Sequence, residues 1–391
     1  MRDTPLLMPP MPFSSLDADL AARRAQHLFR QRTVLGSPQG AQVQVGGQML
    51  LNFCSNDYLG LANHPDIILA AQQGAQRWGV GSGSAHLVAG HYAVHEAFEQ
   101  CAANWVGKPA ALSFCTGYMA NLAVVTALVG RGDAVFADKL NHASLNDACQ
   151  LSRADFKRFA HNDMAALERL LATSTAARKL IAVDAVFSMD GDIAPLADLL
   201  RLAEQYDAWL YLDDAHGFGV LGDGRGSMAH AGLESPRVIY MATLGKAAGV
   251  AGAFVAAEQV VIDYLINFAR PYIYTTAAPP LLAEALLVSL DLIEQDGWRR
   301  ERLQQQIACL RTALAGRGLM PSATPIQPLL APDSAAALAW SATLRERGYW
   351  LAAIRPPTVP TPRLRICLSA AHEVAGVAAL ADEITRLLDQ A

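Results

Sequence analysis

The chain has 391 residues, 52% of them hydrophobic and 17% charged, which is typical of a globular protein with a large core and excludes a disordered chain or a coiled coil. Because 31 Lys and Arg stand against 36 Asp and Glu, the net charge is −5, and this balance argues against a nucleic-acid partner. The six cysteines include no CxxC pair, which favours free thiols in a reducing cytoplasm over a disulfide scaffold.

The N-terminal region reads as an arm followed by a helix. Met1–Pro12 carries four prolines and no apolar run, so we expect a loose tail and not a signal peptide. A polar, Arg-rich helix is predicted over 17–32, and the pair Gly46-Gly47 indicates a short hairpin. The first predicted unit is therefore an arm and helix over 1–50.

The central region alternates short apolar segments with helical ones. Helices are predicted at about 65–77 and 93–106, ahead of the alternation. The strand candidates are 110–114, 134–137, 180–184, 209–213, 238–242 and 252–256. The helical candidates between them are 118–129, 144–151, 163–172 and 195–206. This order predicts a mostly parallel sheet with helices on both faces, in a large domain over 51–285.

Two further segments complete this description of the chain. The uncharged run 110–130 has the length of a membrane span, but Ser113, Thr116 and Asn121 interrupt it, which favours a strand and a helix.

The pattern of helices and strands changes after 280. Its helices are 280–295, 297–316 and 372–389, with strands near 325–330, 349–354 and 363–368. These segments predict a smaller α+β domain over 286–391.

Carboxylates and a histidine follow one predicted strand. Asp213, Asp214 and His216 come at the end of 209–213, and ligands of open α/β sheets lie at the carboxyl ends of the strands. A solvated loop is the alternative interpretation. The glycines at 217, 219 and 222 match dinucleotide-binding spacing, but loop residues follow where that motif needs a helix, so NAD binding is not expected.

Three other segments carry reactive groups at strand ends. Lys246 is the single charged residue between Met241 and Ala257, and apolar surroundings lower the pKa of an amine and make it nucleophilic. The turn Gly117-Tyr118 opens a helix whose free N–H groups can bind an anion. His142 can stack on a flat ring or move protons. Each segment also has an interpretation without function: Lys246 as a solvated lysine, the Gly117-Tyr118 turn as the start of an ordinary capped helix, and His142 as a surface histidine.

Together these groups match the needs of one cofactor. Pyridoxal phosphate needs a lysine for its aldehyde, a carboxylate for its ring nitrogen, donors for its phosphate and a flat group over its ring. The chain offers Lys246, Asp213, the Gly117-Tyr118 turn with Thr243, and His142.

At the level of motifs, the sequence resembles the pyridoxal-phosphate-dependent α-oxoamine synthases, a family of fold-type-I, aminotransferase-like architecture. The resemblance spans about 17–388. Its motifs are NFCSNDYLGL (52–61), CTGYMAN (115–121), NHASL (141–145), VFSMDGDIAPL (186–196), LDDAHGFGVLG (212–222), TLGKAAG (243–249) and AIRPPTVP (353–360). It implies a PLP-dependent acyltransferase of the cytoplasm, and a homodimer with its active site at the subunit interface.

The resemblance also implies roles for individual residues. Lys246 would hold the cofactor as a Schiff base and Asp213 would pair with the pyridinium nitrogen. The other implied cofactor contacts are His216 and Ser188 at the phenolic oxygen, His142 over the ring, and Gly117, Tyr118 and Thr243 at the phosphate. The implied substrate contacts are Arg355 at the amino-acid carboxylate, Arg30, Thr358, His142 and Asn56.

The segments 274–280 and 354–360 resemble those of the members that condense L-alanine with a pimeloyl thioester of coenzyme A or acyl carrier protein. Members that use glycine, such as glycine C-acetyltransferase and 5-aminolevulinate synthase, tend to differ there. They remain alternatives, as does a member that condenses a longer acyl chain. Two alternatives lie outside this chemistry. A non-catalytic subunit would be expected to lack Lys246, and a zinc hydrolase built on Asp213 and His216 has no HExxH or Cys/His spacing to support it.

The chain departs from the family pattern at two places. The stretch 81–87 rearranges the expected Gly and Ser residues, which puts a cofactor contact from that loop in doubt. Asp184 stands where Glu is more usual, and it receives no predicted role.

Overall fold

The computed structural model describes residues 13–26 and 28–390, so the tail predicted over Met1–Pro12 lies outside the described residues. Helix α1 covers Ser14–Ala25, and the prediction that this helix continues to residue 32 is wrong. Because α1 buries none of its side chains, no tertiary packing extends it beyond its own propensity.

The predicted hairpin is confirmed. Strands β1 (Gln42–Val45) and β2 (Gln48–Asn52) pair antiparallel, with Val45 opposite Gln48. Gly46 and Gly47 form the two-residue turn with φ of 58° and 84°. Positive φ at both central positions is what a tight hairpin needs to match the twist of its strands.

The large α/β region follows. Its helices are α2 Pro65–Trp78, α3 Ala93–Trp105, α4 Gly117–Leu128, α5 Ala143–Ser152, α6 Met164–Ala172, α7 Leu196–Gln205, α8 Ser227–His230, α9 Gln259–Phe268 and α10 Arg270–Ile273. Its strands are β3 Ala110–Phe114, β4 Ala134–Asp138, β5 Asp155–Phe159, β6 Lys179–Asp184, β7 Trp209–Asp213, β8 Val238–Thr243 and β9 Ala253–Ala257. Residues 110–130, where a membrane span was rejected, thus form β3 and α4.

These strands form one seven-stranded sheet in the order β3-β9-β8-β7-β6-β4-β5. The five strands from β8 to β5 are parallel, and β9 runs antiparallel to both of its neighbours. The predicted mostly parallel sheet is confirmed. The sequence pattern missed β5, because this edge strand carries charged residues and buries only Phe159.

The register of the strands shows which edge of this sheet carries the polar residues. Asp184 at the end of β6 lies opposite Asp213 at the end of β7, and Asp213 lies opposite Met241 of β8. Since these strands are parallel, their carboxyl ends open on the same side. The polar residues that end β6, β7 and β8 therefore meet at one edge, above a buried apolar sheet.

The last region contains α11 Pro280–Gln295, α12 Gly297–Ala313, β10 Ile326–Leu330, α13 Ser334–Glu346, β11 Tyr349–Trp350, β12 Ala352–Ile354, β13 Arg363–Cys367 and α14 Val374–Asp389. Strands β10, β13 and β12 form an antiparallel sheet, and β11 joins β2 of the hairpin. The boundary at 285/286 stays a prediction. Helix α11 crosses it and packs on α2, where Trp78 Nε1 donates to Glu284.

Within 13–26 and 28–390, no helix combines the length and the apolar character needed to cross a bilayer.

Candidate active site

A cavity of about 430 Å³ opens at the carboxyl ends of β6, β7 and β8; we call it the main cavity. Predicted residues from six separate segments line it together. They are Asn56, Gly117, Tyr118, His142, Ser188, Asp213, His216, Thr243 and Lys246. The constellation inferred from isolated segments is thus a single site in the folded chain.

Asp213 is buried at the base of the main cavity, and each of its carboxylate oxygens accepts a hydrogen bond. Its Oδ2 accepts from Asn121 Nδ2 at 2.8 Å, and its Oδ1 accepts from Ala215 N at 3.1 Å. Asn121 is held in turn by Tyr211 Oη, which donates to its Oδ1 at 2.7 Å. Because every partner donates to it, this carboxylate can accept a further hydrogen bond from a cationic ring nitrogen.

Lys246 follows β8 and faces a buried histidine. Its Nζ lies 3.0 Å from His216 Nε2, and His216 Nδ1 lies 2.7 Å from Tyr58 Oη. Burial lowers the pKa of Lys246 to about 8, against the opposing charges of Asp213 and Asp184. Burial, followed by the Lys246 charge, lowers the pKa of His216 well below its usual value. The result is a neutral imidazole beside an amine that is deprotonated far more readily than a surface lysine.

His142 enters the main cavity from the N-terminus of α5. Its Nδ1 accepts from Ser144 N at 3.3 Å and lies 2.7 Å from Ser144 Oγ. Burial lowers the pKa of His142, so the ring is neutral at pH 7. Because Nδ1 is the acceptor, the proton of the neutral ring resides on Nε2.

Asp184 is a site residue for which the sequence analysis found no role. Its Oδ2 accepts from His142 N at 2.9 Å, whereas its Oδ1 is buried without a partner among the described residues. Burial, and then the charge of Asp213, raise the pKa of Asp184 well above its usual value. The neutral form of Asp184 is therefore favoured relative to that of an exposed aspartate.

The first turn of α4 forms the anion-binding end of the main cavity. The N–H groups of Gly117 and Tyr118 have no acceptor within the helix, and Thr116 Oγ1 caps the turn by accepting from Met119 N. A Cβ on Gly117 would lie 2.4 Å from Thr243 Cγ2, so only glycine lets β8 approach this closely. The Thr243 hydroxyl is buried without a partner in the described chain.

Arg365 is a second residue that the sequence analysis missed. From β13, its buried guanidinium donates to Asn56 Oδ1 at 3.1 Å and to Ser188 O at 2.6 Å. It thereby ties together two predicted site residues that are far apart in the chain. The only sequence signal was an arginine inside an apolar strand pattern, which by itself indicates an edge strand or a paired charge.

The remaining predicted substrate residues line a different space. Arg30, Arg355 and Thr358 border a second cavity of about 240 Å³, together with Arg23. The structure thus brings these three residues together but does not place them on the wall of the main cavity.

The doubtful loop at 81–87 does not line the main cavity. Instead, Ser82 Oγ donates to Ala278 O, and Ser84 O accepts from Ala277 N. These bonds attach the loop to the chain just ahead of α11. The glycines at 217, 219 and 222 lie in a turn that leads into a single 3-10 turn at Gly222–Gly224, not into the long helix of a dinucleotide site.

Comparisons with known proteins agree with this geometry. Residues 48–384 match the family model described as aminotransferase class I and II. The chain is 59% identical over 379 residues to the 8-amino-7-oxononanoate synthase of Chromobacterium violaceum, covering 96% of this chain and 99% of the relative.

Solved structures give the same result. A serine palmitoyltransferase from S. paucimobilis with a bound PLP adduct has a TM-score of 0.90 at 27% identity, covering 96% of this chain and 97% of that one. The 8-amino-7-oxononanoate synthase of Francisella tularensis has a TM-score of 0.75 at 30% identity, with coverages of 87% and 98%.

Proposed function

Because the chain belongs to the 8-amino-7-oxononanoate synthase family, within the class I and II aminotransferases, we propose that it condenses L-alanine with a pimeloyl thioester. The products are 8-amino-7-oxononanoate, CO2 and a free thiol, in a step of biotin biosynthesis. The predicted fold, enzyme class and cofactor are confirmed by the relatives. The observation that carries the proposal is the amine of Lys246, with its lowered pKa, in one cavity with Asp213, His216 and His142.

The residues of the main cavity fit pyridoxal 5′-phosphate. The unpartnered Thr243 hydroxyl and the free N–H groups of Gly117 and Tyr118 suit its phosphate. Asp213 suits its ring nitrogen, and Lys246 suits its aldehyde. His216 and Ser188, which line the same cavity, would bind the phenolic oxygen. When bound, this cofactor supplies an electron sink that stabilises a carbanion on the attached amino acid.

Lys246 is proposed as the base of the reaction. With a pKa of about 8, its amine can take the Cα proton of the amino acid near neutral pH. His216 Nε2, at 3.0 Å from Nζ, orients the amine without adding a charge of its own. Asp213 keeps the ring nitrogen protonated, which draws electron density away from Cα.

His142 is proposed as the hydrogen-bond donor at the thioester oxygen. Its Nδ1 is occupied by Ser144, so its Nε2–H is the group that can donate. Asp184 and Ser144 fix the start of α5 and thereby the direction of the ring. A donor held in place before the reaction would stabilise the negative charge that develops on the thioester oxygen.

The second cavity is proposed to bind the substrate carboxylates. Arg355 would hold the amino-acid carboxylate, while Arg30 and Thr358 would contact the acyl substrate from the same space. A guanidinium suits a planar carboxylate because it can donate two parallel hydrogen bonds. Asn56, fixed by Arg365, would complete the contact from the wall of the main cavity.

The assembly and location are proposed by analogy with the family: a cytoplasmic homodimer whose active site lies at the subunit interface. The acyl carrier is either coenzyme A or acyl carrier protein.

The test is thiol release by the PLP-loaded enzyme from pimeloyl-CoA with L-alanine, compared with acetyl-CoA and glycine. Release with the first pair alone supports the proposal. Release with the second pair alone would retain the Lys246 chemistry and overturn the substrate assignment. If neither pair reacts, pimeloyl-acyl carrier protein is the next thioester, and lack of reaction with it as well would overturn the proposal.

A further inference from the structure

Three imidazoles converge beside the main cavity, where the π-helical turn His86–Gly90 leads into α3. One ring nitrogen from each of His86, His91 and His95 can be chosen so that all three lie within 4.8 Å of one another. His95 also lines a small cavity that shares Cys115 with the main cavity. None of the three histidines has a part in the chemistry proposed above.

The closest contact in this cluster is between two nitrogens. His86 Nδ1 lies 2.8 Å from His91 Nδ1, a distance at which one nitrogen must carry a proton and the other a lone pair. The two rings therefore share a single proton in this contact, which a metal ion can displace.

The hydrogen-bond partners of His91 and His95 indicate which nitrogen of each ring would bind a metal ion. His91 Nε2 lies 3.2 Å from Glu96 Oε2, and His95 Nε2 lies 3.0 Å from Ala278 O. Histidines that bind metal ordinarily donate their other ring N–H to a carboxylate or a backbone carbonyl. Proton placement on Nε2 in both rings would leave the Nδ1 lone pair of each ring as the ligand.

Metal binding requires the His86 proton to move from Nδ1 to Nε2. Two small adjustments then separate this arrangement from a coordinated one. The Nδ1 atoms of His86 and His91 must move from 2.8 Å to about 3.3 Å, the separation of two nitrogens around a tetrahedral Zn²⁺. His95 Nδ1 must give up the hydrogen bond that it accepts from Tyr92 N. The His91 side chain is 27% exposed, so an ion and a water ligand can reach the centre from solvent.

We propose that His86, His91 and His95 bind one divalent transition-metal ion through their Nδ1 atoms, with Glu96 and Ala278 O orienting two of the rings. Three imidazoles suit Zn²⁺, Ni²⁺ or Cu²⁺, whereas Mg²⁺ and Ca²⁺ require oxygen ligands. The ion joins the π-helical turn to α3 and, through Ala278, to the start of α11. His91 and His95 have the H-x3-H spacing of one half of many zinc sites, and the fold adds His86 to them.

The test is titration of the metal-free, PLP-loaded full-length enzyme with Zn²⁺ by isothermal calorimetry. We expect one ion per chain, and at least a tenfold loss of affinity in His91→Gln. His230→Gln is the matched control, because it makes the same change at an exposed histidine of α8 and is expected to bind as the wild type does.

A second variant separates ligation from folding. Glu96→Gln keeps all three rings and removes only the carboxylate behind His91, and we expect it to weaken binding about tenfold with an unchanged circular dichroism spectrum. Equal Zn²⁺ affinity in the wild type, His91→Gln and His230→Gln would overturn the proposal. Absence of binding by the wild type at micromolar Zn²⁺ would overturn it as well.

Discussion

Asp184 and Asp213 lie opposite each other at the ends of two neighbouring parallel strands, both buried, and they are supported in different ways. Asp213 accepts two hydrogen bonds from fixed N–H donors. Asp184 accepts one, from His142 N, and has an unpartnered Oδ1. Ionising two adjacent buried carboxyl groups costs electrostatic free energy, because their negative charges repel each other. The group with more hydrogen-bond donors is therefore the one whose ionised form is favoured.

The first prediction makes the same substitution at both positions. Asp213→Asn is expected to lower kcat/KM for thiol release by 100-fold or more, because an amide cannot keep the cofactor nitrogen protonated. Because the raised pKa of Asp184 favours its neutral form, Asp184→Asn changes charge and shape little, and its loss should stay within about tenfold. Steady-state kinetics on the two PLP-loaded variants makes the comparison, and equal losses would contradict a raised pKa of Asp184.

The second prediction concerns the lowered pKa of Lys246. Between its folded value of about 8 and its unfolded value, the unfolded chain binds the extra proton. The free energy of unfolding therefore rises with pH across this window. In the enzyme without PLP, Lys246→Met should raise the free energy of unfolding near pH 7, by on the order of 1–3 kcal/mol. The gain should shrink as pH rises above 8.

Urea denaturation of both proteins at several pH values between 6.5 and 10 measures this gain. Lys139→Met makes the same change at an exposed lysine and should show no such trend. A gain in the free energy of unfolding that does not change with pH would mean that burial does not lower the pKa of Lys246.

The third prediction concerns His161, which joins the loop after β4 to the turn after Ser188. Its Nδ1 lies 3.1 Å from Asp138 Oδ1 and its Nε2 2.9 Å from Asp192 Oδ2. Burial would lower the pKa of His161, but the hydrogen bonds and charges of Asp138 and Asp192 outweigh it and raise the pKa to about 10. This stabilisation is complete below the unfolded value near 6.5 and is lost as pH rises through 10.

His161→Gln should therefore lower the free energy of unfolding near pH 6, by about 2–4 kcal/mol, and by progressively less towards pH 10. Denaturant curves at pH 6, 8 and 10 measure the difference, and the exposed His230→Gln serves as the control. A loss that does not change between pH 6 and pH 10 would contradict a charged His161.

The order of elements and the main chemical groups were predictable from local patterns. Lys246 stood out because it is alone in an uncharged stretch, and Asp213 because it ends an apolar strand. What local patterns could not supply was contact between distant segments. Arg365 reaches Asn56 and Ser188 only because the small sheet packs against the site.

The errors also have local physical causes. From composition alone we predicted that α1 continues to residue 32. The helix ends earlier because it has no buried face to stabilise further turns. The edge strand β5 was missed because four of its five residues are not buried, so it lacks the apolar run of the central strands. The predicted substrate contacts Arg30, Arg355 and Thr358 lie together around the second cavity, and their separation from the main cavity could not be read from spacing.

The fourth prediction uses the unpartnered hydroxyl of Thr243. Since Thr243 Oγ1 has no protein partner in the described chain, Thr243→Val should leave the free energy of unfolding of the enzyme without PLP nearly unchanged. It should weaken PLP binding by about tenfold, because a hydrogen bond to a charged phosphate is lost. Thr243→Ser keeps the hydroxyl and should bind nearly as the wild type does. Absorbance titration with PLP measures both, and normal affinity in Thr243→Val would remove Thr243 from the phosphate site.

The fifth prediction tests the contact between Gly117 and Thr243. In Gly117→Ala the new methyl group would lie 2.4 Å from Thr243 Cγ2, while its next neighbours are Thr243 Cβ at 3.7 Å and Met241 Cε at 3.9 Å. The single variant should therefore displace the first turn of α4 and weaken PLP binding by about tenfold or more. Serine at 243 lacks the Cγ2 atom, so Gly117→Ala combined with Thr243→Ser should recover most of the affinity. A double-mutant cycle of PLP affinities measures the coupling. If the two losses are simply additive, Gly117 is required for a reason other than this approach, such as direct contact between its backbone and the phosphate.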